Sequence, residues 1–152
     1  MGIFDFLNKE SKQKANNFNH IKNLLTIAMS DGSLDEKETQ ALNGVSSRLG
    51  ITNEEIGEII KNFNNIKFVL PTNKKDRINQ FWDLILIVLV DGKIEKGELN
   101  KLRTFAENLN IRSGVITAII RNLETFDFVN TSLSSFRISF VDYFSDGNGF
   151  TD

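Results

Sequence analysis

The chain contains no cysteine, which removes disulfides, thiolate nucleophiles and cysteine-based zinc sites from consideration. Proline occurs once and the 10 glycines form no runs, a balance that favours helices over a loop-rich β design. Histidine also occurs once, as His20 beside Asn19, where it reads as a solvent-facing or locally bonded side chain rather than a base or a metal ligand. Charge of one sign is missing too. A net charge of −2 leaves no electrostatic footprint for nucleic acid. The longest apolar run, residues 84–90, is far shorter than the roughly 20 residues that span a bilayer. The opening Met1-Gly2-Ile3-Phe4-Asp5-Phe6-Leu7 has no basic segment and no long apolar core, so no secretory leader is expected. Phe6 stands where a myristoylation signal needs Ser or Thr. The expected location is the cytoplasm, with at most peripheral association at the inner face of a membrane.

Catalytic signatures are missing as well. No serine lies in a nucleophile-elbow pattern and no glycine loop is built for phosphate, so no enzyme is expected. The stretch from Asp142 through Asp146-Gly147-Asn148-Gly149 has the tone of a calcium loop. Phe144 fills one ligand place and no closing Glu follows, so an EF-hand is rejected.

What is present is helical periodicity and a repeat. Thirteen Phe supply bulky core material for the 152 residues, enough chain for one well-buried core. Shifting the sequence by 60 residues aligns its halves without a gap. Leu24 falls on Leu84, Ile27 on Ile87, Asp31-Gly32 on Asp91-Gly92 and Glu38 on Glu98. Leu42, Leu49, Ile51, Ile56 and Ile59 then fall on Leu102, Leu109, Ile111, Ile116 and Ile119. A register kept over so many positions argues for a duplicated helical unit arranged with pseudo-two-fold symmetry.

Apolar residues at three- and four-residue spacing predict helices over about 16–29, from Asp35 to about 49, and from Thr52 to about 63. After a connection containing Pro71, further helices are predicted over about 74–90, 96–108, from Ser113 to about 123, and 132–144. Asp35 with Glu38, and Thr52 with Glu55, have capping-box spacing; Ser113 is the expected cap of the sixth helix. The helix over 74–90 is apolar on every side and belongs at the centre. Trp82 is expected in the core. The fold class is therefore all-α: a single compact bundle of about seven helices built from two repeated units, roughly 18–70 and 78–130, within a domain over 16–144. An apolar arm over 1–15 and a loose Gly-rich tail over 145–152 flank it.

The repeated text is Asp-Gly-x-aliphatic-x-x-x-Glu. It places Asp31, Asp35 and Glu38 at one helix corner and Asp91, Glu95 and Glu98 at the other. Glycine permits the tight turn, the aliphatic residue plugs it, and the turn brings carboxylates together. Hard cations favour such oxygen clusters, so Ca²⁺, Mg²⁺ or Mn²⁺ is the candidate ligand. The same residues are also what helix capping and the helix dipole select at a first turn. Both readings stand on spacing alone.

The doubled Asp-Gly-x-aliphatic-x-x-x-Glu after an apolar helix, with the Gly2-Ile3-Phe4-Asp5 opening, resembles the TerB-like proteins. These include the tellurite-resistance protein TerB and the helical domain of the DjlA co-chaperone group. The resemblance runs from the opening to about Asn122. It implies a helical domain of two related halves, a role in tellurite or stress resistance, and a metal ion held by Asp31, Glu38, Asp91 and Glu98. Asp35 and Glu95 match less strictly. The second corner departs from the acid-rich pattern, with Lys93 and Lys96 beside Glu95 and Gly97 at the helix start. The alternative is a metal-independent protein-interaction module in which the corners are caps and an apolar patch involving Phe4, Phe6 and Phe68 meets another protein.

Overall fold

The computed structural model describes residues 3–90, 92, 94–127 and 131–152, with side chains from residue 11 onward. Seven α-helices account for most of them, as the periodicity predicts: α1 Ile3–Ala28, α2 Glu36–Arg48, α3 Asn53–Lys61, α4 Lys74–Val88, α5 Lys96–Asn108, α6 Ser113–Thr125 and α7 Leu133–Asp142. No strand occurs among the described residues. The one β-type contact is an isolated antiparallel bridge between Ile111 and Phe150. No helix of the described residues is long and apolar enough to cross a membrane. The chain divides into two compact units, Met1–Val69 and Leu70–Asp152.

In the first unit α1 begins well before the predicted start near Asn16. The stretch over 8–15 holds Lys, Glu, Gln and Ala, all good helix formers, with no Gly or Pro to stop the helix. The arm expected over 1–15 is thus helical from Ile3. Ile21, Leu24, Leu25 and Ala28 form the buried stripe of α1. Leu42 and Val45 of α2, with Ile56 and Ile59 of α3, supply the apolar faces that complete this core. His20 and Asn23 are also buried, so His20 is not solvent-facing. The Asn23 amide donates to the Val69 carbonyl at 2.8 Å and accepts from the Val69 N–H at 2.9 Å. Asn17 donates to the Leu49 carbonyl at 3.0 Å, tying α1 to the end of α2.

In the second unit α4 is buried round most of its circumference, as its apolar run predicts. Leu102 and Phe105 of α5, and Ile116, Ile119, Ile120 and Leu123 of α6, complete the apolar set. The cap of α6 differs from expectation. Arg112 is the N-cap and makes no side-chain cap bond, and Ser113 is the first helical residue. Trp82 is only half-buried; it sits in an aromatic cluster with Phe136 and Phe140 of α7, at ring-centroid distances of 5.9 and 5.3 Å. Arg137 of α7 stacks over Trp82 at 4.9 Å.

The segment over 145–152 packs onto its own unit, against the expectation of a loose tail. The Arg112 N–H donates to the Gly149 carbonyl and the Thr151 N–H to the Asn110 carbonyl, both at 2.8 Å. Phe150 is buried and stacks on Phe144 at 5.4 Å. Arg77, itself 3% exposed, reaches Asp152 through two bonds of 2.7 and 2.9 Å and donates to the Pro71 carbonyl at 2.6 Å. Glycine content read locally suggests looseness, whereas these partners lie far away in sequence.

The local geometry recurs at the 60-residue offset. Gly32 and Gly92 both have positive φ, 102° and 73°. So do Gly50 and Asn110, at 72° and 60°. The Gly50 N–H bonds the Ser47 carbonyl and the Ile51 N–H the Ser46 carbonyl; Asn110 and Ile111 do the same with Glu107 and Ala106. This is the six-to-one, five-to-two closure of a Schellman turn.

Two measurements check this description. Phe140 is fully buried among Phe81, Trp82 and Phe144. Truncation in Phe140→Ala is expected to cost about 3–5 kcal/mol in urea unfolding. The Arg77 hydrogen bonds, followed by its charge, lower the Asp152 carboxyl from its usual 3.8 to about 2. A carboxylate lowered in the folded state stabilises fully above its unfolded pKa and loses that contribution as pH falls through the folded one. Asp152→Asn should therefore melt below wild type at neutral pH, and the gap should close as pH falls from 3.8 to about 2.

Candidate functional site

The first acidic corner is built by the end of α1 and the start of α2. The last helical bonds give way to a turn in which the Ser30 N–H bonds the Ile27 carbonyl at 3.1 Å and the Gly32 N–H the Met29 carbonyl at 2.9 Å. Leu34 is half-buried in the bend and Asp31 is exposed on it. Asp35 is the N-cap of α2: its Oδ1 accepts from the Glu38 N–H at 2.7 Å, and the Glu38 Oε1 accepts from the Asp35 N–H at 3.3 Å. The predicted capping box is present, and it engages both carboxylates with backbone donors at the helix start.

The second corner has the same outline. The Gly92 N–H bonds the Leu89 carbonyl at 2.9 Å, Glu95 is the N-cap of α5, and the Glu98 Oε2 accepts from the Glu95 N–H at 3.1 Å. Asp91 and Lys93 lie outside the described residues. Of the six candidate ligands, then, Asp35 pairs with Glu38 in the first unit and Glu95 with Glu98 in the second. Among the described residues no three or more acidic or histidine side chains form a group that could hold a metal ion.

A third box opens α3. Glu55 accepts from the Thr52 N–H at 3.1 Å, and the Glu55 N–H donates to the Thr52 hydroxyl at 3.1 Å. The Thr52 backbone bond, then the Thr52 hydroxyl and Lys14 at 3.5 Å, hold the Glu55 carboxyl below its usual 4.5 against a smaller opposing push from burial.

A groove inside the first unit has no counterpart among the sequence motifs. It encloses about 630 Å³ between α1, α3 and the segment that follows α3. Phe18 and Lys22 of α1 form one wall, Ile59 and Asn62 the other, and Ile66 and Val69 close it. Phe18 and Ile66 are half-buried and Val69 is 50% exposed, so the apolar lining faces outward. The Asn23 side chain fixes the Val69 backbone, which holds that edge in place. Of the apolar patch suggested by sequence, Phe68 is half-buried beside this groove, and the Phe4 and Phe6 side chains lie outside the described residues. The groove could have been suspected from the offset alignment, which sets Lys22 against Trp82.

The chain matches no protein-family model, no curated protein and no solved structure.

The cap reading makes a direct forecast. Asp35→Ala should lose about 1 kcal/mol in urea unfolding, the usual cost of removing an N-cap side chain. Glu95→Asp should be neutral or stabilising by a few tenths of a kcal/mol, because Asp is the better cap.

Proposed function

We propose that this chain is a non-enzymatic, protein-binding helical module whose acidic corners serve as helix caps. The groove of the first unit carries the reading: on its lining Phe18 and Ile66 stand half-buried and Val69 is 50% exposed. Outward-facing apolar surface rimmed by polar residues marks interaction sites. The engagement of Asp35, Glu38 and Glu98 with backbone N–H groups supports the cap role. A distant relationship to the TerB-like domains, and with it a part in tellurite or other stress resistance, belongs to the same proposal. So does a place in the cytoplasm.

The competing idea, a divalent cation at the corners, makes the opposite forecast. Under the present reading, millimolar Ca²⁺, Mg²⁺ or Mn²⁺ leaves the melting temperature unchanged. A rise that Asp31→Asn or Asp91→Asn abolishes would establish the cation site instead, since a ligand that binds only the folded state stabilises it by mass action. Immobilised full chain is expected to retain a cellular protein whether or not chelator is present, and to lose it on Ile66→Glu. Chelator-sensitive retention, or none, overturns the module.

A further inference from the structure

The second unit shows what covers such a groove. The counterparts of Lys22, Asn62 and Ile66 at the 60-residue offset are Trp82, Asn122 and Phe126. All three touch α7. Phe136 packs on Trp82 at 5.9 Å and edge-on against Phe126 at 5.2 Å. Phe140 lies 5.3 Å from Trp82, and the Asn122 amide donates to the Tyr143 hydroxyl at 3.2 Å. In the second unit, then, α7 lies across these positions with Phe136 and Phe140 turned inward and Tyr143 following at its end, while Leu133, Ile138 and Val141 stay exposed on its other side. In the first unit the chain after Ile66 runs on through Pro71 into α4, and among that unit's described residues no further helix lies across the equivalent surface.

Charge sharpens the comparison. In the covered groove Arg137, the residue after Phe136, stacks on Trp82 at 4.9 Å. In the open groove that place belongs to Lys22, while Lys67, Glu55 and Glu58 also line it. An incoming helix with Arg at that position would meet a like charge there; one with Glu or Asp would meet its complement.

Resting on the interaction-module reading, we propose that the first unit's groove binds an amphipathic helix of another protein. The helix enters as α7 does in the second unit. It carries large apolar or aromatic residues at i and i+4, and an acidic residue at i+1 that pairs with Lys22. Helix-in-groove recognition of this type reads anchors at helical spacing. The flanking ion pair selects among candidate helices more than it adds affinity.

The test uses the full chain and two fluorescein-labelled peptides of residues 131–144, one with the natural sequence and one with Arg137→Glu. The Glu peptide is expected to bind wild type in the micromolar range by fluorescence anisotropy. Lys22→Glu should weaken it about tenfold and should strengthen the natural peptide, reversing the preference. Ile66→Glu should weaken both. Circular dichroism melts establish that each variant is folded; should Ile66→Glu fail to fold, Lys22→Glu decides alone, because its side chain is half-exposed. Affinities indifferent to Lys22→Glu would overturn the proposal. So would concentration-dependent self-association of the chain that Lys22→Glu abolishes, since the occupant would then be a second copy. Cellular-protein capture that Ile66→Glu abolishes, with neither peptide binding wild type, would leave the module standing and remove the helix as its ligand.

Discussion

A helix can bury its apolar stripe only if the chain after it turns back, and the turn must leave no buried backbone group unpaired. In this protein the turn after α2 is made at Gly50 and the turn after α5 at Asn110, both in left-handed backbone. Each closes the last carbonyls of its helix with two returning N–H groups and delivers an isoleucine, Ile51 or Ile111, into the core immediately afterwards. Glycine takes this conformation without steric cost, and asparagine is among the few other residues that tolerate it. The packing of α3 and α6 follows from where these two turns send the chain.

The buried polar residues show how one scaffold carries two different surfaces. His20 and Asn23 are buried on α1; Gln80 and Asp83, at the same offset, are buried on α4. Positions 60 residues apart are thus buried alike while carrying different side chains. In the first unit the Asn23 amide serves as both donor and acceptor to the Val69 backbone, a pairing that a carboxylate could not reproduce because it has no N–H to give. That clamp fixes one edge of the open groove. A preorganised edge lowers the ordering cost of binding.

Helix starts and stops were readable from residues alone. The Asp35–Glu38 and Thr52–Glu55 boxes depend on contacts three residues apart, and a local signal suffices for a local bond. The run over 84–90 announced a helix buried on many sides. Reading failed where the partner was distant. Ser113 has the residue type of a cap, but the Arg112 carbonyl already accepts the Ile116 N–H, while its own N–H reaches the distant Gly149 carbonyl. The segment over 145–152 looked loose because its glycines are visible in sequence, while its anchors are Arg77 and the backbone at residues 110–112. The periodicity places the start of α1 too late because the polar stretch before Asn16 has no stripe, although its composition is that of a helix.

The class of structure, the number of helices and the spacing of the corner acids are written in the residues, since each follows from side-chain periodicity or from bonds within one turn of chain. The residues also hold the offset that makes Lys22 the counterpart of Trp82. That α7 packs over Trp82 and Phe126, and that the closing segment is pinned through Arg77, follows from long-range packing instead. Those outcomes depend on which surfaces meet after the chain has folded back, and burial between residues far apart in sequence leaves no mark on the periodicity of either one.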